Sequence, residues 1–170
     1  MPFVSLSTPW TIVVDILAWG FFHIIISVIC LKLPRSYFDQ QHTIYHIRSW
    51  EREGDFWQHV FKIKAWKDFI PDGTLILKQG FSKHQLPGRS IRDLILFLSE
   101  SKRAELTHWL SILPAPLFFL WNPVWAGWVM IVYALLFNLP IIIVQRFNRA
   151  RIERILDKWV QMEFKHKMAR

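Results

Sequence analysis

Two long stretches of this chain carry almost no charge. From Trp10 to Leu31 there is only Asp15, and from Trp109 to Gln145 there is no Asp, Glu, Lys or Arg. Uncharged apolar runs of this length predict membrane-crossing helices. The first run predicts one anchor helix over 10–31. The second is too long to cross once, since about 35 helical residues would extend about 50 Å against a hydrocarbon core of about 30 Å. Trp121-Asn122-Pro123 breaks it, because Asn-Pro favours a turn. The pattern therefore predicts a Pro-broken transmembrane hairpin with arms 106–121 and 124–144. The first arm is short and interrupted by Pro114 and Pro116; the second contains Asn138 and Pro140.

The remaining segments are amphipathic. Phe56, Trp57, Val60, Phe61 and Ile63 form one helical face opposite Asp55, Gln58, His59 and Lys62, and the phase is lost at Lys64 and Lys67. Phe61 to Ala65 alternates, which also fits a short strand. Ile70-Pro71-Asp72-Gly73 reads as a turn. Ser90-Ile91-Arg92-Asp93 resembles a capping box opening a helix that meets no breaker until Pro114. Ile152, Ile155, Leu156, Trp159 and Val160 recur at helical spacing, with Arg151, Arg154, Lys158 and Lys165 mostly opposite. That spacing predicts a C-terminal amphipathic helix over 149–168, suited to an anionic inner leaflet. The expected fold class is an all-α membrane protein: anchor helix, cytoplasmic interfacial segment 34–105, hairpin, amphipathic helix. At 170 residues this is one integral-membrane domain.

Charge fixes the expected orientation. The chain carries 21 Lys and Arg against 13 Asp and Glu, for a net +8. Every basic residue lies within 32–105 or 146–170. The positive-inside rule places both blocks in the cytoplasm and the N-terminus outside, a multi-pass arrangement in the cell membrane. Trp10, Trp121 and Trp125 then fall at one interface and Trp109 at the other. The segment before Trp10 has no Lys or Arg, and the apolar core exceeds the roughly 7–15 residues of a signal peptide, so an uncleaved anchor is expected. The one cysteine, Cys30, allows no internal disulfide and says nothing about redox compartment. A soluble enzyme and a basic nucleic-acid-binding module are both disfavoured; the expected partner is the lipid bilayer.

Candidate chemistry concentrates where the second apolar run begins. In Glu100-x-x-Arg103-Ala104-Glu105-x-x-His108-Trp109, Glu105 and His108 are about 60° apart on one helix face. Ionisable groups at the edge of the hydrocarbon are costly and are functional candidates by default. An imidazole suits proton transfer near neutrality, and a carboxylate orients it in catalytic triads. The plainer reading is a surface ion pair with an interfacial histidine. Glu105-x-x-His108 also has the spacing of a di-iron motif, but no second copy exists, so no metal is expected. A second cluster, Gln145-Arg146-Phe147-Asn148-Arg149, sits where the last span ends. Hairpin topology would bring it to the same side as the first. Arginine forks bind phosphate or carboxylate, though such a cluster also serves simply as a stop signal. A third candidate is Trp66-Lys67 with Asp72, whose plainer reading is an interfacial aromatic and basic patch. No G-x-S-x-G, no phosphate-binding Gly-x-x-x-x-Gly-Lys loop and no His-x4-Asp acyltransferase motif is present.

Trp66-Lys67, Asp72-Gly73, Arg103-Ala104-Glu105-Leu106-x-His108-Trp109, Ile112-Leu113-Pro114 and Asn138-x-Pro140 through Gln145-Arg146-Phe147-Asn148-Arg149 resemble the glycosyl-4,4'-diaponeurosporenoate acyltransferase family. Its type member completes staphyloxanthin. The likeness runs from about Pro34 to Arg151. Ser101 and Ala150 depart from the pattern, where Thr and Pro would be expected. The resemblance implies transfer of a branched fatty acyl group to the glucose 6-hydroxyl of a carotenoid glycoside, without a cofactor. It does not fix the catalytic residues.

Residues and resemblance together give an expected mechanism. His108 takes the sugar hydroxyl proton and Glu105 orients it. Arg103, Arg146 and Arg149 hold the anionic acyl donor, a carrier protein or coenzyme A thioester, or stabilise the oxyanion. Trp109, Asn148, Trp66, Lys67 and Asp72 complete the expected substrate-binding set. The competing readings are a non-catalytic scaffold of a lipid-modifying complex and an acyltransferase acting on another glycolipid.

Overall fold

The computed structural model describes residues 2–4, 6–40, 42–69 and 91–168, and among them every regular element is a helix. The main helices are α1 (Thr8–Lys32), α2 (Arg35–Asp39), α3 (Asp55–Phe61), α4 (Ile91–Ile112) and α5 (Val124–Met168). Short 3₁₀ turns fill the intervals Thr43–Tyr45, Ser49–Gly54, Ile63–Ala65, Lys67–Phe69 and Ala115–Leu120. The alternating stretch Phe61 to Ala65 is therefore the end of a helix followed by a 3₁₀ turn rather than a strand. Lys62 breaks α3 at φ 49°, and Ile63 turns fully inward. The turn at Ile70–Gly73, with Asp72, and the cap residue Ser90 lie outside the described residues.

The first apolar run and the second arm of the other form helices where the pattern put them. Pro9 sits in the first turn of α1, where its missing N–H costs nothing, and Pro34 follows the helix end. α1 and α5 are each long and apolar enough to cross a membrane, with a best-window mean hydropathy of 2.3 in both. The arm 106–121 is not one helix. α4 stops at Ile112, and Pro114 and Pro116 force a 3₁₀ turn in place of further α-helix. Asn122-Pro123 then breaks the chain as expected, and α5 begins.

One expectation is overturned. The C-terminal amphipathic helix is not separate: it is the last part of α5, which runs unbroken for 45 residues, about 68 Å. After Pro140 the chain meets no Gly or Pro up to Met168, so nothing ends the helix. The change from apolar to basic at Gln145-Arg146 is a change of composition without a change of conformation.

The chain folds as two compact units, each assembled from separate stretches: Met1–Pro34 with Glu105–Ile142, and Arg35–Ala104 with Ile143–Arg170. In the first, Trp19, Ala115, Phe118 and Ala134 form the core, flanked by Phe22, Trp121 and Met130. Asp15, the single charge-bearing residue of the first apolar run, is buried there. Its Oδ1 accepts from Trp121 Nε1 at 2.8 Å and Asn122 Nδ2 at 2.7 Å. The helix break thus supplies the polar partners that a carboxyl inside an apolar helix requires. In the second unit, Ile63, Val144 and Phe147 form the core under Trp57 and Trp66.

Gly127 shows how closely the first unit is packed. A Cβ there would lie 2.5 Å from two ring carbons of Phe119. Gly127→Leu is expected to lower stability by about 1–3 kcal/mol through overpacking. The check is thermal melting of the detergent-solubilised protein. Adding Phe119→Ala should recover part of the loss, and no recovery would put the contact in doubt.

Candidate active site

In the first unit, α4 presents Glu105, His108 and Trp109, and α5 presents Asn138. Glu105 is 1% exposed and His108 half-buried. His108 Nδ1 lies 2.8 Å from Asn138 Oδ1. The amide is oriented by its own second bond, since Asn138 Nδ2 donates to the Ala134 carbonyl one turn earlier at 2.8 Å. Its oxygen is therefore the atom facing the imidazole, and Nδ1 must be the donor. In the neutral ring the lone pair then resides on Nε2. That is the tautomer a general base needs, selected by an asparagine fully buried in an apolar helix. Trp109, 40% exposed, donates from Nε1 to Glu105 Oε1 at 3.4 Å.

In the second unit, the basic residues build a different arrangement. Glu51 is fully buried, and its carboxylate collects four donors. Oε1 accepts from the Arg48 backbone N–H at 2.8 Å and from Arg146 Nη2; Oε2 accepts from Trp57 Nε1 at 2.7 Å and Arg146 Nε at 3.0 Å. Arg146 also donates to the carbonyls of Ile44 and His46. Burial pushes the Glu51 carboxyl up, but the Arg146, Arg48 and Trp57 hydrogen bonds, with the Arg146 charge, outweigh it and hold the carboxyl below its ordinary value. Arg146 thus anchors the loop from Ile44 to Glu51.

The other arginines are enclosed as well. Arg149 is 0% exposed, with its guanidinium 6.0 Å from the Tyr45 ring centre. Arg103 Nη1 donates to both Glu100 carboxylate oxygens, at 2.9 and 3.0 Å, and the guanidinium lies 5.1 Å over the Phe38 ring. Phe38 and Tyr45 are themselves in ring contact at 6.4 Å. Lys102 donates to the Phe38 and Gln40 carbonyls. Its ammonium is held below its ordinary pKa by burial and then by the Arg149 charge. Trp66 donates to the Phe61 carbonyl at 2.6 Å and packs on the Ile63 cluster, while Lys67 and Asn148 are half-buried. An open cleft of about 560 Å³ on this unit is lined by Arg48, Arg52, Glu153, Arg154 and Asp157, among others. Among the described residues no three His, Cys, Asp or Glu side chains are grouped to hold a metal ion.

Residues 34–158 match the family of glycosyl-4,4'-diaponeurosporenoate acyltransferases. The chain belongs to that family. A Staphylococcus aureus relative of that name is 36% identical over 138 residues, covering 81% of this chain and 83% of its own. Another, from Staphylococcus haemolyticus, is 33% identical over 135 residues, covering 79% and 78%. No solved structure matches. The protein is an acyltransferase, and the scaffold reading loses its footing.

For this acyltransferase, sequence reasoning missed Asn138 as a partner of His108 and Glu51 as the organiser of Arg146. An asparagine inside an apolar run was a usable signal for the first, since such a residue must find a partner. Nothing local marked Glu51, because Arg48-Ser49-Trp50-Glu51-Arg52-Glu53 reads as an ordinary solvated charge run.

Proposed function

We propose that this protein is a membrane acyltransferase that esterifies the glucose 6-hydroxyl of a carotenoid glycoside with a fatty acyl group, giving a staphyloxanthin-type product. The observation that supports the chemistry is the His108–Asn138 pair, which puts the lone pair of the neutral ring on Nε2. The substrate follows from the name its relatives carry. The setting is supported by two helices long and apolar enough to cross a membrane and by the confinement of every Lys and Arg to two blocks. With those blocks cytoplasmic and the N-terminus outside, the protein is multi-pass.

In this reading His108 Nε2 takes the proton of the sugar hydroxyl as its oxygen attacks the thioester carbonyl carbon. The tetrahedral intermediate collapses with cleavage of the C–S bond, and the departing sulfur receives the proton from the imidazolium. Glu105, one turn before His108, favours the imidazolium. Trp109 borders the substrate beside it. Arg149, Arg103 and Lys67 contribute to an electropositive unit that favours a phosphate-bearing donor, a coenzyme A or carrier-protein thioester, and Asn148 adds a neutral hydrogen-bonding group to it. Arg146 acts by holding its loop through Glu51. Asp72 and Trp66 are kept as substrate-side residues on the family likeness alone.

Expression together with the enzymes that supply the carotenoid glycoside should convert that glycoside to a more apolar ester, seen as a later-eluting coloured species. Unchanged glycoside with normal protein in the membrane would reject this acceptor. Ester formation on a different glycolipid would then replace it.

A further inference from the structure

α1 carries an imidazole that the reaction described above leaves unused. His23 lies in the first apolar run, fifteen residues after Thr8 and nine before Lys32. Its ring stacks on Trp19 at 5.4 Å and 25°, and meets Phe137 of α5 at 5.5 Å. Trp19 in turn meets Tyr133 at 5.1 Å, and Tyr133 stacks on Phe137 at 5.8 Å. The four rings form a quartet, two from each helix at i, i+4 spacing.

Three members of the quartet carry polar atoms, and the Trp19 indole N–H is given to Met130 Sδ at 3.3 Å. His23 Nε2 is buried without a hydrogen-bond partner. An imidazole carries at least one N–H in either tautomer. With the proton on Nε2, that buried donor is unused. Buried donors without partners are rare and costly in folded proteins. A phenylalanine would fill the same place in the quartet with no such cost.

The quartet also sits level with the reaction centre of the same unit. Phe137, which packs on His23, is the neighbour of Asn138, which holds His108. Consecutive residues of one helix are about 1.5 Å apart along its axis. Two histidines of the first unit are thus brought to one level of α5. One has its Nδ1 bonded to Asn138, and the other has a buried Nε2 with nothing to bond. His23 is also half-buried, so its ring reaches the surface of the unit.

We propose that His23 is a substrate-binding residue of the acyl-transfer site, donating its ring N–H to a carbonyl oxygen of an apolar-tailed substrate. Two substrates in the proposed reaction offer such an oxygen: the thioester of the acyl donor, and an ester joining sugar to polyene in the acceptor. The inference rests on the proposed acyl transfer.

The test is steady-state kinetics on the full-length protein in lipid vesicles. The probes are a glycosylated carotenoid ester and an acyl-coenzyme A or acyl carrier protein, whichever the wild type turns over. His23→Phe keeps the ring contacts and removes both nitrogens; His23→Gln restores an N–H donor. A bond to the acceptor ester predicts about a tenfold higher KM for the acceptor in His23→Phe, the weight of one hydrogen bond. A bond to the thioester oxygen, where charge develops, predicts a tenfold or greater loss in kcat with both KM values retained. In either case His23→Gln should recover most of the loss, which a purely structural role would not give. His23→Leu serves the same purpose should phenylalanine lower the amount of protein in the membrane. Kinetics of His23→Phe within twofold of wild type would overturn the assignment while leaving the acyl-transfer reading intact. An inactive wild type would overturn both.

Discussion

His108→Ala is expected to lower ester formation by about 10²–10⁴-fold with normal protein level in the membrane, the usual range for loss of a positioned general base. The reason lies in the ring's environment. Its Nδ1 donates to Asn138 Oδ1, so in the neutral ring the lone pair that receives a proton is on Nε2. Asn138 is itself locked by the Ala134 carbonyl and cannot present its NH₂ group to the ring instead. Asn138→Ala should therefore produce a smaller loss, because the ring then divides its population between tautomers and orientations while the base remains present. Asn138→Leu should be more damaging than Asn138→Ala, since its branched side chain would press on the ring. The measurement is initial rate of acyl transfer in isolated membranes, normalised to protein amount. Full activity of His108→Ala would remove this residue from the chemistry, and the argument from the Asn138 pair with it.

Much of this architecture was legible in the sequence, for simple reasons. α1 and the first half of α5 stand out because their apolar residues run on without charged ones. Asn122-Pro123 marks the break between α4 and α5 because a proline after an asparagine rarely continues a helix. The expected apolar face of α3 holds in part: Phe56 and Trp57 are half-buried, Val60 and Phe61 are exposed, and Ile63 is buried only because the chain leaves the helix at Lys62. The places where local pattern failed are those where the partner is far along the chain. Asn138 meets His108 across 30 residues, Asp15 meets Asn122 across 107, and Glu51 meets Arg146 across 95. No window of sequence contains both members of such a pair. The continuity of α5 was hidden for another reason. A helix that passes from an apolar to a basic stretch changes composition abruptly, and composition was the signal used to divide it. His23 illustrates the same limit from the other side: its neighbours Ile24 and Ile25 say only that the helix is apolar, and the quartet forms only once α5 packs against α1.

The Arg146 cluster reads as a set of free cations in the sequence and as a buried framework in the structure. That difference leads to the second large effect. Glu51→Ala is expected to destabilise the protein by about 3–5 kcal/mol, because it leaves the Arg146 guanidinium buried without its counter-charge and removes the acceptor of Trp57 and of the Arg48 N–H. Arg146→Met should cost a similar amount by stranding the carboxylate. The two substitutions should not add. Glu51→Met combined with Arg146→Met should be more stable than either Glu51→Ala or Arg146→Met alone, since a fully apolar pair leaves no buried charge unmatched. The pH dependence carries an independent signature. The folded-state pKa of Glu51 lies below its unfolded value, so the unfolded chain binds more protons in the interval between the two. The stabilisation is complete above the unfolded value, near 4.5, and is lost as pH falls through the folded one. Acid titration of the solubilised protein, followed by tryptophan fluorescence because Trp57 is one of the donors, should show a transition below pH 4.5 in the wild type. In Glu51→Gln that component should be missing. An unchanged acid transition in Glu51→Gln, together with additive losses for Glu51→Ala and Arg146→Met, would mean that the pair does not hold the loop from Ile44 to Glu51.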